Sequence, residues 1–176
     1  MPASPAEPLE PLDRATQQTY ERALDLLSFR ARSARQLHAR LLAKGEPAAQ
    51  VEAVIARLCA AGLLDDARFA EARARAGIVG KARSRRRTVE DLVQKGVTRE
   101  VAGAAVRQVL DDEGTDELAL AMRAAEKKLR SLARAEPQAR RQKLYAFLAR
   151  QGYAADVVRR TMRALLDAPP PDEADD

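Results

Sequence analysis

Aligned without gaps on Gly45, Gly96 and Gly152, the apolar positions of this chain fall into columns. Four residues before each glycine stand Leu41, Leu92 and Leu148, and eight before stand Leu37, Thr88 and Leu144. Six, nine, ten and thirteen residues after it come Val51, Val54, Ile55 and Leu58, then Ala102, Ala105, Val106 and Val109, then Val158, Thr161, Met162 and Leu165. Spacings of three and four place such residues on one face of a helix. Each glycine therefore divides two amphipathic helices, at the C-cap where positive φ costs it least.

The helix starts carry their own marks. Ser33 and Ser84 each lie twelve residues before a glycine, and Ser33 with Gln36 forms a capping box. The third copy begins instead at Pro137, a residue suited to a first helical turn. A further helix precedes each pair, over 20–29, 66–78 and 116–134, the last two capped by Asp65 and Thr115. The pattern predicts an all-α fold of three tandem three-helix, helix-turn-helix-like repeats over 15–64, 65–112 and 113–167. Units of about 50 residues bury too little surface to stand alone, so neighbours must support one another in an elongated, curved array. Residues 1–14, rich in proline, and 168–176, which open on Ala168-Pro169-Pro170-Pro171 and end in acids, read as disordered tails.

Composition agrees with helices. Aromatics make up 3% of the 176 residues and Trp is absent, so a 46% apolar chain must build its core from Ala, Leu and Val. Cys59 is the one cysteine, which leaves no internal disulfide and no zinc set. No run approaches a membrane span, and the start lacks the order of a secretory signal. A cytoplasmic protein with no membrane partner is expected. Its charge is uneven: residues 19–166 hold 30 Lys and Arg against 18 Asp and Glu, while both ends are acidic.

The chemistry available for catalysis is sparse. His38 is the only histidine and, like Cys59, has no recognisable partner nearby; His38 reads as a helix-flank residue beside Leu42 and Cys59 as a small core filler. Asp65 and Asp66 suit capping better than acid–base work. The run Asp111, Asp112, Glu113, Asp116 and Glu117 lacks the ligand spacing of a calcium loop. With no phosphate-cradling glycine loop either, no enzyme activity, metal or cofactor is expected.

The basic clusters say more. Arg83, Arg85, Arg86 and Arg87 crowd the start of the middle helix of the second repeat, and Arg140, Arg141 and Lys143 hold nearly matching places in the third. A helix N-terminus is partially positive, and each cation there forgoes about 0.3–1 kcal/mol. Ion pairs from Arg86 to Glu90 and from Arg87 to Asp91 would explain two of them and leave Arg83, Arg85, Arg140 and Arg141 over, available to phosphates or an acidic protein surface. Arg123, Lys127, Lys128, Arg130, Arg134, Arg150, Arg159, Arg160 and Arg163 widen the cationic face of the third repeat. The six aromatics, Tyr20, Phe29, Phe69, Tyr145, Phe147 and Tyr153, sit mostly where packing would use them, so base stacking is not indicated.

The run Leu26-Leu27-Ser28-Phe29-Arg30-Ala31-Arg32-Ser33, the Lys44-Gly45 turn, the element from Gly62 through Leu63, Leu64, Asp65, Asp66, Ala67, Arg68 and Phe69 to Ala70, and the Lys95-Gly96-Val97 turn together resemble the RecX family of recombination regulators. The resemblance spans about 19–167 and is looser in the third repeat. It implies an all-helical, non-enzymatic monomer that acts in recombination and DNA repair. Its partner would be RecA, as a filament on single-stranded DNA, whose groove it occupies and whose ATPase and strand exchange it modulates, by inhibition in most described members, with direct contacts to DNA phosphates as an addition; a regulator that promotes filaments would share most of these features. An array binding DNA without a recombinase is the alternative. Contact residues so implied are Arg30, Arg32, Arg83, Arg85, Arg86, Arg87, Arg140, Arg141 and Lys143. Gly45, Leu64, Asp65, Asp66, Phe69, Gly96 and Gly152 would be structural, with Asp65 a cap and Phe69 an anchor between repeats. The dense arginine run after Gly80 and the acidic residues at 168–176 depart from the family pattern.

Overall fold

A computed structural model describes residues 11–167. Most of both expected tails lies outside the described residues. Among those described there are nine α-helices and no strand: α1 (Arg14–Phe29), α2 (Ala34–Leu42), α3 (Ala48–Ala60), α4 (Asp66–Arg75), α5 (Arg85–Gln94), α6 (Arg99–Asp112), α7 (Glu117–Ser131), α8 (Pro137–Arg150) and α9 (Ala155–Leu166). They form three tandem three-helix domains. The expected first helix begins earlier than position 20, because Asp13 caps it by accepting from Ala15 N at 2.9 Å and Thr16 N at 3.0 Å. Asp116, not Thr115, caps α7, taking Ala119 N at 2.7 Å. The helix expected over 66–78 leaves α geometry after Arg75 for a π turn, Ala76–Gly80.

The predicted columns are the core. Leu37, Leu41, Val51, Val54 and Leu58 are fully buried, joined by Ala23 and Leu64, with Tyr20, Leu26, Leu27 and Ile55 packed against them. Thr88, Leu92, Ala102, Val106 and Val109 play the same part for α5 and α6, as do Leu144, Leu148, Val158, Thr161 and Met162 for α8 and α9. Each buried aliphatic side chain stabilises the fold by about 1.5–3 kcal/mol. Helices α1, α2 and α3 pack mutually, as do α7, α8 and α9, and α5 packs on α6 and on the π turn.

The described chain gathers into two compact units. One runs to Phe69 and also takes in Lys95–Val97; the other holds Ala70–Gln94 and the residues from Thr98 onward. Within the first, the Lys95–Gly96 turn sits on the start of α2: buried Ser33 donates from Oγ to Lys95 O, and a Cβ on Gly96 would stand 2.5 Å from Arg35 Cβ. Within the second, the Gln151–Gly152–Tyr153 turn sits on the start of α5. Ser84 N donates to Gln151 O at 3.1 Å, and Tyr153 donates from its hydroxyl to Ala82 O at 2.7 Å.

Candidate functional site

The aspartate pair at the start of α4 is structural, and in two directions. Asp65 caps α4, accepting from Ala67 N at 2.8 Å and Arg68 N at 3.0 Å. Asp66 reaches back to the start of α2 and accepts from Ala34 N at 2.8 Å. Three backbone donors at two helix starts are thereby satisfied. Leu64 and Phe69 beside them are buried. Cys59 is not the core filler its size suggested: it is exposed on α3, and desolvation, then Asp66 and Asp65, push its thiol above the ordinary range, away from nucleophilic use.

The cations are concentrated where the sequence placed them. Ser84 caps α5, its Oγ accepting from Arg87 N at 3.1 Å, so Arg85, Arg86 and Arg87 fill the first turn with no acid among them. Arg86 lies 3.8 Å from Glu90, and Arg87 lies 3.6 Å from Asp91. Arg83 was expected to be left over, but Asp91 serves it as well. Arg85 makes no ion pair among the described residues.

Two arginines of α6 complete the site. Arg99 opens α6 behind its cap Thr98, and Arg107 lies two turns on, with Gly103 midway. Four-residue spacing sets all three on one helix face. Arg85 and Arg86 of α5 and Arg99 and Arg107 of α6 line a cleft of about 500 Å³, into which Glu117 brings the one carboxylate of the lining. Gly103 leaves the wall between the two α6 arginines bare, since a Cβ there would meet only Arg107 Nη1, at 3.5 Å. Arg99 falls inside α6 and not in the turn before it. The signal was present in the four-residue spacing of Arg99, Gly103 and Arg107.

Elsewhere the expected contacts divide. Arg141, also expected to be left over, holds Asp167 in a two-pronged bond, 2.8 and 3.3 Å, which raises the guanidinium and lowers the carboxyl. Arg140 Nε is buried without a hydrogen-bond partner, and its side chain lines a smaller depression with Pro137, Arg141 and Leu166. Lys143 is exposed. In the first unit Arg32 donates from Nε to Leu26 O at 3.2 Å, closing the end of α1, while Arg30 is exposed beside it. Not all aromatics are packed: Phe29 is 84% exposed and Tyr145 51%.

A cleft with four guanidinium groups and one carboxylate can receive a polyanion; planar guanidinium pairs well with phosphate or carboxylate oxygens. Among the described residues no group of His, Cys, Asp or Glu could hold a metal ion, and no helix is long and apolar enough to cross a membrane.

Comparison with known proteins accounts for the whole described architecture. The first, second and third three-helix domains of RecX match residues 20–58, 65–106 and 115–162 in that order. The regulatory protein RecX of Pelodictyon phaeoclathratiforme is 34% identical over 144 residues, covering 82% of this chain and 86% of that one. Its counterpart in Amycolatopsis mediterranei is 34% identical over 141 residues, covering 78% and 79%. The crystal structure of RecX from Lactobacillus salivarius shares the fold, with a TM-score of 0.72 at 19% identity over 89% of this chain and 99% of that one. Three matched domains in the order the glycine repeat predicts, and relatives similar along most of their length, establish that this chain belongs to the RecX family of regulatory proteins.

Proposed function

We propose that this protein is a non-enzymatic regulator of recombination and DNA repair that binds the RecA filament on single-stranded DNA and lowers its ATPase and strand-exchange activity. The cleft of Arg85, Arg86, Arg99 and Arg107 is the observation that carries the reading. Three arginines of a helical first turn are held at the end where the helix dipole opposes them. A fold selected only for stability has no use for that placement, whereas a groove lined with carboxylates and phosphates does. Occupation of the groove would act by excluded space and charge. It needs no chemistry from His38 or Cys59.

The test is DNA-dependent ATP hydrolysis by the cognate RecA, with this protein added at substoichiometric amounts. Hydrolysis is expected to fall and filaments to shorten; unchanged turnover and filament length would remove the reading.

A second reading draws on α6. Arg99 and Arg107 lie on the helix that follows the turn of a helix-turn-helix pair, the position from which such proteins contact DNA. An array binding DNA without a recombinase would lose affinity steeply and uniformly as salt rises, whereas a groove contact with protein would persist in part.

A further inference from the structure

The second unit has another cleft, of about 440 Å³, which the filament reading does not use. The π turn after α4 and the link that follows it form one lip, with Val79 42% exposed. Arg123, Lys127 and Lys128 of α7 stand opposite, Lys81 adds a fourth cation, and no carboxylate is among the lining residues described. Ala124 and Phe147 supply apolar surface, with Lys128 Nζ 5.8 Å from the centre of the Phe147 ring. The lip is built at a cost. Ala82 takes φ +45°, a region that side chains disfavour, and is held there by the Tyr153 hydroxyl on its carbonyl. Strained backbone and π turns gather where a surface is used.

We propose that this cleft binds an acidic, proline-bearing peptide, and that its occupant is the segment 168–176 of the same chain, which lies outside the described residues. The composition is complementary: Asp172, Glu173, Asp175 and Asp176 answer the four cations, and Pro169, Pro170 and Pro171 suit Phe147 and Val79, as proline runs suit aromatic grooves. The segment is also within reach. It leaves from Asp167, which Arg141 holds against α8, and Phe147 lies six residues further along that helix, about 9 Å. Nine extended residues reach up to about 30 Å. The arginine cleft suits it less well. That cleft already contains Glu117, has no aromatic side chain among its lining residues, and includes Ala154 at the far end of α9, about 18 Å from Leu166.

A fluorescein-labelled peptide of residues 167–176, followed by anisotropy at low salt, tests this. The full-length chain with Asp172→Asn, Glu173→Gln, Asp175→Asn and Asp176→Asn should bind the peptide about tenfold more tightly than the unaltered chain, whose own segment competes. Adding Lys127→Glu and Lys128→Glu, or Val79→Asp, should weaken binding about tenfold, while Arg85→Glu with Arg86→Glu changes it less than about twofold. Circular dichroism melts confirm that each variant is folded. Failure of the neutralised chain to bind the peptide overturns the proposal. So does loss of binding through the Arg85 and Arg86 changes instead, or a cleft whose lysine variants lose oligo-dT binding and not peptide binding.

Discussion

Gly152 lies so close to Ser84 that a Cβ on the glycine would stand 2.7 Å from the serine Oγ and 2.8 Å from Arg87 Cβ. The same glycine has φ +88°. It thus serves as the turn between α8 and α9 and also as the surface on which the start of α5 rests. Gly96 repeats the relationship against Arg35, next to the buried Ser33. Gly45 shares the dihedral, at +88°, but has nothing within 4 Å of its missing Cβ.

Substitution should separate these two roles. Gly45→Ala is expected to cost about 1–2 kcal/mol, the left-handed strain alone. Gly152→Ala adds a clash with Ser84 and Arg87 and should cost about 2–4 kcal/mol, in line with overpacking at a closed joint. Urea denaturation of both variants checks this, and equal losses would show that the contact relaxes freely.

Charge reversal addresses the arginine cleft. Arg85→Glu with Arg99→Glu should reduce filament binding at least about tenfold and flatten its salt dependence, while the melting temperature stays within a few degrees. Both side chains are exposed and unpaired among the described residues, so the fold does not depend on them. Arg83→Glu, which places a like charge against Asp91, should instead lower stability first.

Glu46 predicts a pH dependence. Its buried carboxylate accepts from Thr19 Oγ1 at 2.6 Å and pairs with Arg22, and the Thr19 bond, followed by Arg22, keeps it below the ordinary carboxyl range. A carboxyl held low contributes stability that is complete above the unfolded value and disappears as pH falls through the folded one. Glu46→Ala should therefore cost about 1–3 kcal/mol at neutral pH, from the lost Thr19 bond and the lost pair with Arg22, and should flatten the acid limb of the stability curve. Melts between pH 7 and strongly acid conditions read both effects.

The strained link before α5 makes a contrasting pair of expectations. Ala82→Gly should be neutral or stabilising, since glycine accepts positive φ, whereas Ala102→Gly within α6 should cost about 1 kcal/mol. Tyr153→Phe removes the hydroxyl bond to Ala82 O and should cost about 1–2 kcal/mol. Burial pushes that phenol well above its usual range, so it remains a donor throughout ordinary pH. Calorimetry of the three variants decides it.

The glycine columns, with the apolar spacing and caps of the segment before each pair, by themselves determined the helix count, the faces that meet and three turns, because apolar spacing and positive φ are local properties that need no neighbour to be read. The serine caps Ser33 and Ser84 and the Asp65 cap were legible for the same reason. What depended on residues far apart in the chain was decided only by the tertiary structure. Asp66 serves α2 and not its own helix, and Asp91 neutralises Arg83 as well as Arg87. Asp167 claims Arg141, which the sequence had left for a partner. The cationic cleft likewise exists because packing α5 on α6 brings Arg85 and Arg86 to Arg99 and Arg107. Charge summed along a sequence records how many cations there are; which of them remain available depends on the carboxylates that folding places beside them.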